Sequence, residues 1–316
     1  MNKKSPKERL MWPLIFIRSY FRAFYYLLKF FIIKKKDEIF IILTGSIGDD
    51  VYGMSYIHEL KKRDNKKIII YCLQSKRKLV ENYNVADEIR SYETGKDGWR
   101  SLNYYRRIID IARNIGIYSI LPDYYIPMEK NGKRSCLDIM KYDMLRLGDN
   151  VTIQYPDFSE EPIISIPNIS EIASKTVLLN YSSKSMSQVD LSFFQTIADD
   201  LLSRGYNVFT NVVGNQRELI GTKPLNCPIY ELFAICNRIK AVISVRSGIL
   251  DICAHTSAPF LVYNFPFKGR SKQYNEGWCY RYKIKAWGKE NVSEYFVDEN
   301  VNPTQVYNTF RAQFID

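Results

Sequence analysis

A chain of 316 residues with 46% hydrophobic content is long enough for two domains with separate cores and too apolar to be a disordered polymer. Its net charge of +11 asks for an anionic partner, and charge alone does not choose between nucleic acid, a membrane surface and a phosphorylated substrate. Six cysteines (Cys72, Cys136, Cys227, Cys236, Cys253, Cys279) without a Cys-x-x-Cys pair, and only His58 and His255, encode no zinc cluster or redox pair and leave little material for His-based chemistry; the plain expectation is buried, reduced thiols in a cytoplasmic protein.

Residues 11–33, MWPLIFIRSYFRAFYYLLKFFII, have the length of a membrane span but contain Arg18, Arg22 and Lys29. At about 100° per residue these charges fall within roughly 40° of one another on a helix, and the rest of the circumference is apolar and aromatic. That pattern favours a helix lying in the membrane interface, flanked by Lys3, Lys4, Lys7, Arg9 and the Lys34–Lys36 run as an anchor on a cytoplasmic leaflet would be. A spanning helix and a core helix of the first domain are the alternatives. A signal peptide is disfavoured, since no small-residue cleavage site follows.

After this basic segment (1–36) the pattern alternates. Strands are expected at Glu38–Thr44, Lys67–Cys72, Asp87–Tyr92 and Tyr118–Leu121, and helices at Val51–Lys62, Lys76–Tyr83, within 99–115 and at Cys136–Leu147. Residues 37–150 therefore read as a Rossmann-like domain. Pro156, Pro162 and Pro167 interrupt the rhythm, so 151–174 reads as a linker. A second Rossmann-like domain, 175–300, follows with strands at Thr176–Tyr181, Asn207–Val213, Ala241–Val245 and Phe260–Tyr263, and helices at Leu191–Arg204, Leu232–Ile239 and Ile249–Ala254. The segment 301–316 is expected to be a terminal helix with Pro303 in its first turn. The fold class is α/β, with two parallel sheets facing a central cleft lined by the loops at their carboxyl edges.

Four loops at strand ends carry the polar chemistry. In AVISVRSGILDICAHTSAPFLVY (241–263), Arg246, Ser247 and Gly248 form a turn into a helix, where backbone N–H groups and a guanidinium suit a diphosphate. In TGSIGDDVYG (44–53), Gly45 and Gly48 permit a tight turn, and Asp49 and Asp50 open the next helix. This is not the dinucleotide fingerprint, because a third glycine and an acid after the second strand are missing. The two acids are either helix caps, or one caps while the other, Asp49, acts as a general base. NYSSKSMSQVD (180–190) offers hydroxyls and Lys184 for a phosphate, or is a solvated loop ending in Asp190 as a cap. NVVGNQRE (211–218) places Gly214 and Asn215 either in a nucleoside pocket or in a plain turn. Both histidines read as structural.

The layout of 38–265 resembles the GT-B glycosyltransferases, and within them the heptosyltransferase-like group. The resemblance rests on GSIGDDV, on the strand-helix-strand run NYSSKSMSQVDLSFFQTIADDLLSRGYNVFTNVVG, and on AVISVRSGILDICAHTSAPFLVY, which is similar to that group's Asp-Ser/Thr-Gly-x-x-His segment. Two positions depart from the pattern. Arg246 stands where the group usually has an acid and Asp251 where it has His, so Asp251 is expected either to bind a donor ribose hydroxyl or to cap or solvate its helix.

The resemblance implies an inverting, metal-independent transferase that uses a nucleotide-sugar as substrate and needs no cofactor. Asp49, with Asp50 beside it, would activate the acceptor; Lys184, Arg246, Ser247 and Gly248 would hold the donor diphosphate; Gly214, Asn215 and Asp251 would hold its nucleoside. The expected acceptor is a glycan, lipid-linked and at the cytoplasmic membrane face, as in capsule or lipopolysaccharide assembly. Polysaccharide pyruvyl transferase, which would use phosphoenolpyruvate, is similar in its early Gly-Asp turn and late Arg, but usually shows Arg-x-His where this chain has Arg246, Ser247, Gly248. A noncatalytic membrane-bound scaffold or nucleic-acid-binding protein is the rival from another class. Spread Lys and Arg residues, with no recognised motif, speak against nucleic acid.

Overall fold

The computed structural model describes residues 6–43, 47–92, 106–120, 136–183, 191–265, 291–297 and 302–316. The chain divides into two compact units, Met1–Met128 with Asp138–Gln154, and Glu129–Leu137 with Tyr155–Asp316.

The first unit begins with helix α1 (Pro6–Ile33), then β1 (Glu38–Leu43), α2 (Ile47–Met54), α3 (Ile57–Asp64), β2 (Lys67–Leu73), α4 (Arg77–Asn82), β3 (Glu88–Tyr92), α5 (Arg106–Asn114) and β4 (Ile117–Ile120). Its strands form a parallel sheet in the order β3-β2-β1-β4. All six residues of β1, EIFIIL, are buried. A continuous apolar run is what a parallel strand covered on both faces requires. One cover is α1, whose Ala23, Leu27 and Phe30 are buried with Phe40, Ile42, Ile69 and Tyr71. Phe30 packs edge-on to Tyr71 at a centroid distance of 4.9 Å and to Phe40 at 5.9 Å. Burial of side chains the size of Leu27 and Phe30 contributes about 1.5–3 kcal/mol each. No helix among the described residues is long and apolar enough to cross a membrane.

The expected single helix Val51–Lys62 is two helices. Its break falls at Ser55, whose carbonyl accepts a hydrogen bond from Gln154 N at 2.9 Å instead of continuing the helical ladder. The Cys136–Leu147 helix starts as an α turn, α6 (Cys136–Asp138), and widens to a π-helix over Ile139–Met144, closed by Leu145 N donating to Met140 O. On the other side of the sheet, α2 lies so close to β4 that a Cβ on Gly53 would meet Ile120 Cγ2 at 2.3 Å. That glycine lets the helix carrying both acids sit directly on the strand.

The second unit contains α7 (Ile169–Ile172), β5 (Thr176–Asn180), α8 (Leu191–Ser203), β6 (Asn207–Asn211), β7 (Lys223–Leu225), α9 (Ile229–Cys236), β8 (Ala241–Val245), α10 (Gly248–Cys253), β9 (Phe260–Asn264), β10 (Val292–Phe296) and α11 (Pro303–Phe314). The sheet is parallel throughout, in the order β10-β9-β8-β5-β6-β7. Its core joins Val177, Leu179, Ile243 and Val245 to Phe194 and Ile197 of α8 and to Tyr307 and Phe310 of α11. Asn302 caps α11, its side chain accepting from Thr304 N and Gln305 N, with Pro303 as the first helical residue.

Two strands, β7 and β10, are absent from the sequence reading. Both lie at the sheet's edges, and β7 is three residues containing Pro224, which an edge strand tolerates and a central one does not. Helix α9 starts at Ile229, three residues before the expected Leu232, directly after Pro228. Of the cysteines, Cys72, Cys236 and Cys253 are buried and Cys227 is partly so, all as free thiols. Burial pushes the Cys227 thiol up to about 12 and raises those of Cys72 and Cys253 as well. Cys72, Cys227 and Cys253 are therefore protonated thiols rather than nucleophilic thiolates at neutral pH.

Candidate functional site

In the first unit β1 has β2 on one side and β4 on the other, so the chain leaves β1 at the point where strand order reverses. Ligands of doubly wound sheets bind outside the carboxyl ends of strands at such a point. The residues that follow are the expected Gly-Asp turn. Gly45 lies outside the described residues, while Gly48, Asp49 and Asp50 are buried in the first turn of α2.

The two acids differ. Asp50 is fully buried and ion-paired with Lys76, which sits just after β2 in the turn Gln74–Lys76. The pair ties the entry of α2 to the neighbouring strand's exit. Around it, Tyr83 donates its hydroxyl to Val51 O at 3.2 Å and Tyr92 donates to Leu43 O at 3.1 Å, the last carbonyl of β1. Burial raises the Tyr83 hydroxyl far above its ordinary value, and the Asp50 charge adds to this, so it stays a donor. Asp50 is thereby committed to the structure, whereas Asp49, in the same turn, keeps 8% of its surface exposed.

In the second unit the reversal lies at β5, between β8 and β6. Three strands there end in asparagine: Asn180 in β5, Asn211 in β6 and Asn264 in β9. Asn211 Nδ2 donates to Asn180 Oδ1 at 3.0 Å, and Asn180 Nδ2 donates to Ser244 Oγ at 2.8 Å and Ser247 Oγ at 3.2 Å. A polar chain thus crosses the carboxyl ends of β6, β5 and β8. It ends on Ser247, whose backbone is extended and whose hydroxyl makes no cap to α10.

Arg246 precedes Ser247 and is buried, its N–H donating to Tyr263 O at 3.1 Å so that the β8–β9 ladder runs one residue past the strand. Next to it Asn264 is buried, with Nδ2 donating to Glu294 Oε1 at 2.7 Å and with Oδ1 unpartnered among the described residues. Gly248 opens α10, and Asp251 lies buried in its first turn, which removes the solvated-face alternative for that acid.

The 211–218 loop is fastened to the loop after β5. Gln216 Nε2 donates to Ser182 Oγ at 2.6 Å, and Tyr181 donates its hydroxyl to Arg217 O at 2.7 Å. Gly214 has φ +65°, a conformation glycine adopts freely, and both it and Asn215 are exposed. The expected phosphate lysine, Lys184, lies outside the described residues. Arg246, Ser247, Gly248 and Asp251 therefore share one strand-helix junction, and Gly214 and Asn215 stand on the loop after β6, two strands away.

No family model matches the chain, and no curated protein matches it in sequence. Solved structures do match. A glycosyl transferase family 9 protein from Veillonella parvula DSM 2008 is similar with a TM-score of 0.51 and 13% identity over 87% of this chain and 91% of that one. E. coli heptosyltransferase WaaC, solved with ADP, gives a TM-score of 0.56 at 9% identity over 87% of this chain and 99% of its own. E. coli ADP-heptose lps heptosyltransferase II gives 0.53 at 12% identity with the same coverages, 87% and 99%. The chain has the heptosyltransferase fold.

The GT-B architecture expected from the sequence is therefore correct, and at these identities the likeness is one of fold. Within a heptosyltransferase fold, what sequence reasoning missed is the asparagine chain and Lys76. The signal for the first was present, since TVLLN, NVFTN and FLVYN each close a buried apolar run with the same polar residue. Asn180→Ala is expected to cost about 1–3 kcal/mol, because Asn211 loses its acceptor inside the sheet. The same change removes one donor from the Ser247 hydroxyl. Chemical denaturation checks the loss of stability.

Proposed function

We propose that the chain is an inverting, metal-independent glycosyltransferase that moves a sugar from a nucleotide-sugar to a hydroxyl of a lipid-linked surface glycan. On this reading it works at the cytoplasmic face of the membrane, attached peripherally. The observation that carries it is an acid turn after β1, at the strand-order reversal of the first sheet, and an Arg-Ser-Gly turn after β8, the strand beside the reversal of the second, in a heptosyltransferase fold.

The chemistry is a single displacement. Asp49 takes the proton of the acceptor hydroxyl as its oxygen attacks the anomeric carbon, and the bond from that carbon to the diphosphate oxygen breaks on the opposite side. One displacement inverts the centre. The leaving diphosphate gains charge as it departs, and Arg246, the Ser247 hydroxyl, the N–H groups at the start of α10 and Lys184 stabilise it in place of a cation. Asp251 and the Gly214–Asn215 turn serve the nucleoside.

The test is a thermal-shift panel of UDP, GDP, CMP, dTDP and ADP, with ADP as the first arm because two similar proteins are named for ADP or ADP-heptose. A nucleotide present at 100 times its Kd stabilises by about 2.7 kcal/mol, a clear rise in Tm. Arg246→Ala should remove that rise. A panel in which no nucleotide raises the Tm would overturn the transferase reading.

A further inference from the structure

Helix α1 has three faces rather than two. Plotted at about 100° per residue, the buried Ala23, Leu27 and Phe30 occupy an arc of roughly 60° against the sheet. Phe21, Phe24, Tyr25, Leu28, Phe31 and Ile32 fill a separate arc of roughly 120°, and all are exposed, Phe21 to 68% and Ile32 to 78%. Arg18, Arg22 and Lys29 line the edge of that exposed arc within about 40°. An apolar patch of this extent is rare on a monomer surface unless something covers it.

The charges say what the cover is. No acidic side chain among the described residues pairs with Arg18, Arg22 or Lys29, and residues 9–36 contain no Asp or Glu. A second copy seated face to face on α1 would therefore bring cations without counter-charges. An anionic bilayer supplies both an apolar interior for the aromatic arc and phosphate headgroups for its basic edge.

We propose that the outer face of α1 is a docking surface for an anionic lipid bilayer, with Phe21, Phe24, Phe31 and Ile32 entering the acyl boundary and Arg18, Arg22 and Lys29 at the headgroups. It gives the surface for the peripheral attachment proposed above, and rests on that reading only for what the acceptor is. The helix is no flexible tether. Its inner face is core, and the connection to β1 is pinned by Lys34 N donating to Phe30 O at 2.9 Å and Lys35 N to Glu38 Oε2 at 2.9 Å. A docked α1 thus holds the whole first unit, with the Asp49 turn, at a fixed attitude to the lipid.

Sedimentation of the full chain with vesicles tests this without donor or acceptor, so its result is independent of transfer activity. The chain should pellet with phosphatidylcholine–phosphatidylglycerol vesicles, less so as salt rises, and weakly with phosphatidylcholine alone. The triple variant Arg18→Gln, Arg22→Gln, Lys29→Gln should lose about a hundredfold in partitioning, at about a factor of five per cation. Phe21→Ser, Phe24→Ser, Phe31→Ser should abolish binding with Tm unchanged, because these side chains face solvent, whereas Phe30→Ala should lower the Tm. A full chain that stays in the supernatant with both vesicle types overturns the proposal. So does a dimer that the serine variant dissociates while vesicles bind neither form, which would assign the face to a second copy.

Discussion

Asp49→Asn is expected to lower kcat by about 10²–10⁴-fold while leaving nucleoside diphosphate binding and Tm close to the parent's. The amide matches the carboxylate in size and still accepts a hydrogen bond at a helix start, so the fold has little reason to change. What it loses is the ability to take a proton. The neighbouring acid cannot substitute, because Asp50 is fully buried and held by Lys76. Initial rates with a nucleotide-sugar identified by the thermal-shift panel check the effect, and full activity in the variant would remove Asp49 from the mechanism. Asp50→Asn gives the contrast: its first consequence is on stability, and any loss of rate follows from a displaced α2.

The architecture was legible because parallel strands advertise themselves. EIFIIL, KIIIYC, TVLLN and AVISV are short, β-branched and nearly all buried, and each is followed by a helical pattern. The elements that escaped are those whose form depends on a distant partner. Ser55 ends α2 because Gln154 N reaches its carbonyl from about a hundred residues away, and no local residue marks the break. The edge strand at Lys223–Leu225 exists because β6 offers it a ladder. Helix α1 was read from sequence as lying on a membrane, spanning one, or joining the core, as though these excluded one another. Its inner arc is core while its outer arc remains exposed, a division that needs the sheet to be visible.

The site divides in the same way. Its turns were readable as strand-to-helix turns, since GSIGDD and RSG each follow a buried apolar run directly. Its supporting network was not. Asn180, Asn211 and Ser244 become neighbours only when the order β8-β5-β6 is known, and a lone Asn at a strand end otherwise looks like an ordinary turn residue. Asp50 and Asp49 are chemically identical in sequence. Only the position of Lys76, fixed by β2 lying beside β1, tells them apart.

Lys76→Met is expected to carry the largest stability cost, about 3–5 kcal/mol, because it strands the fully buried Asp50 carboxylate without its cation. Removing both charges, as in Asp50→Asn with Lys76→Met, should recover most of that loss, since a buried pair contributes little net stability over neutral groups that fill the same space. Denaturant unfolding of the two single variants and the double variant gives the coupling directly. Kinetics then separate packing from positioning. Asp50 shares the first turn of α2 with Asp49, and its bond to Lys76 ties that turn to the exit of β2. The double variant should therefore be nearly as stable as the parent yet slower, with kcat reduced and KM for the nucleotide-sugar little changed. A double variant with parental kcat would limit the Asp50–Lys76 pair to the fold and leave the aim of Asp49 to the packing of Gly53 on β4.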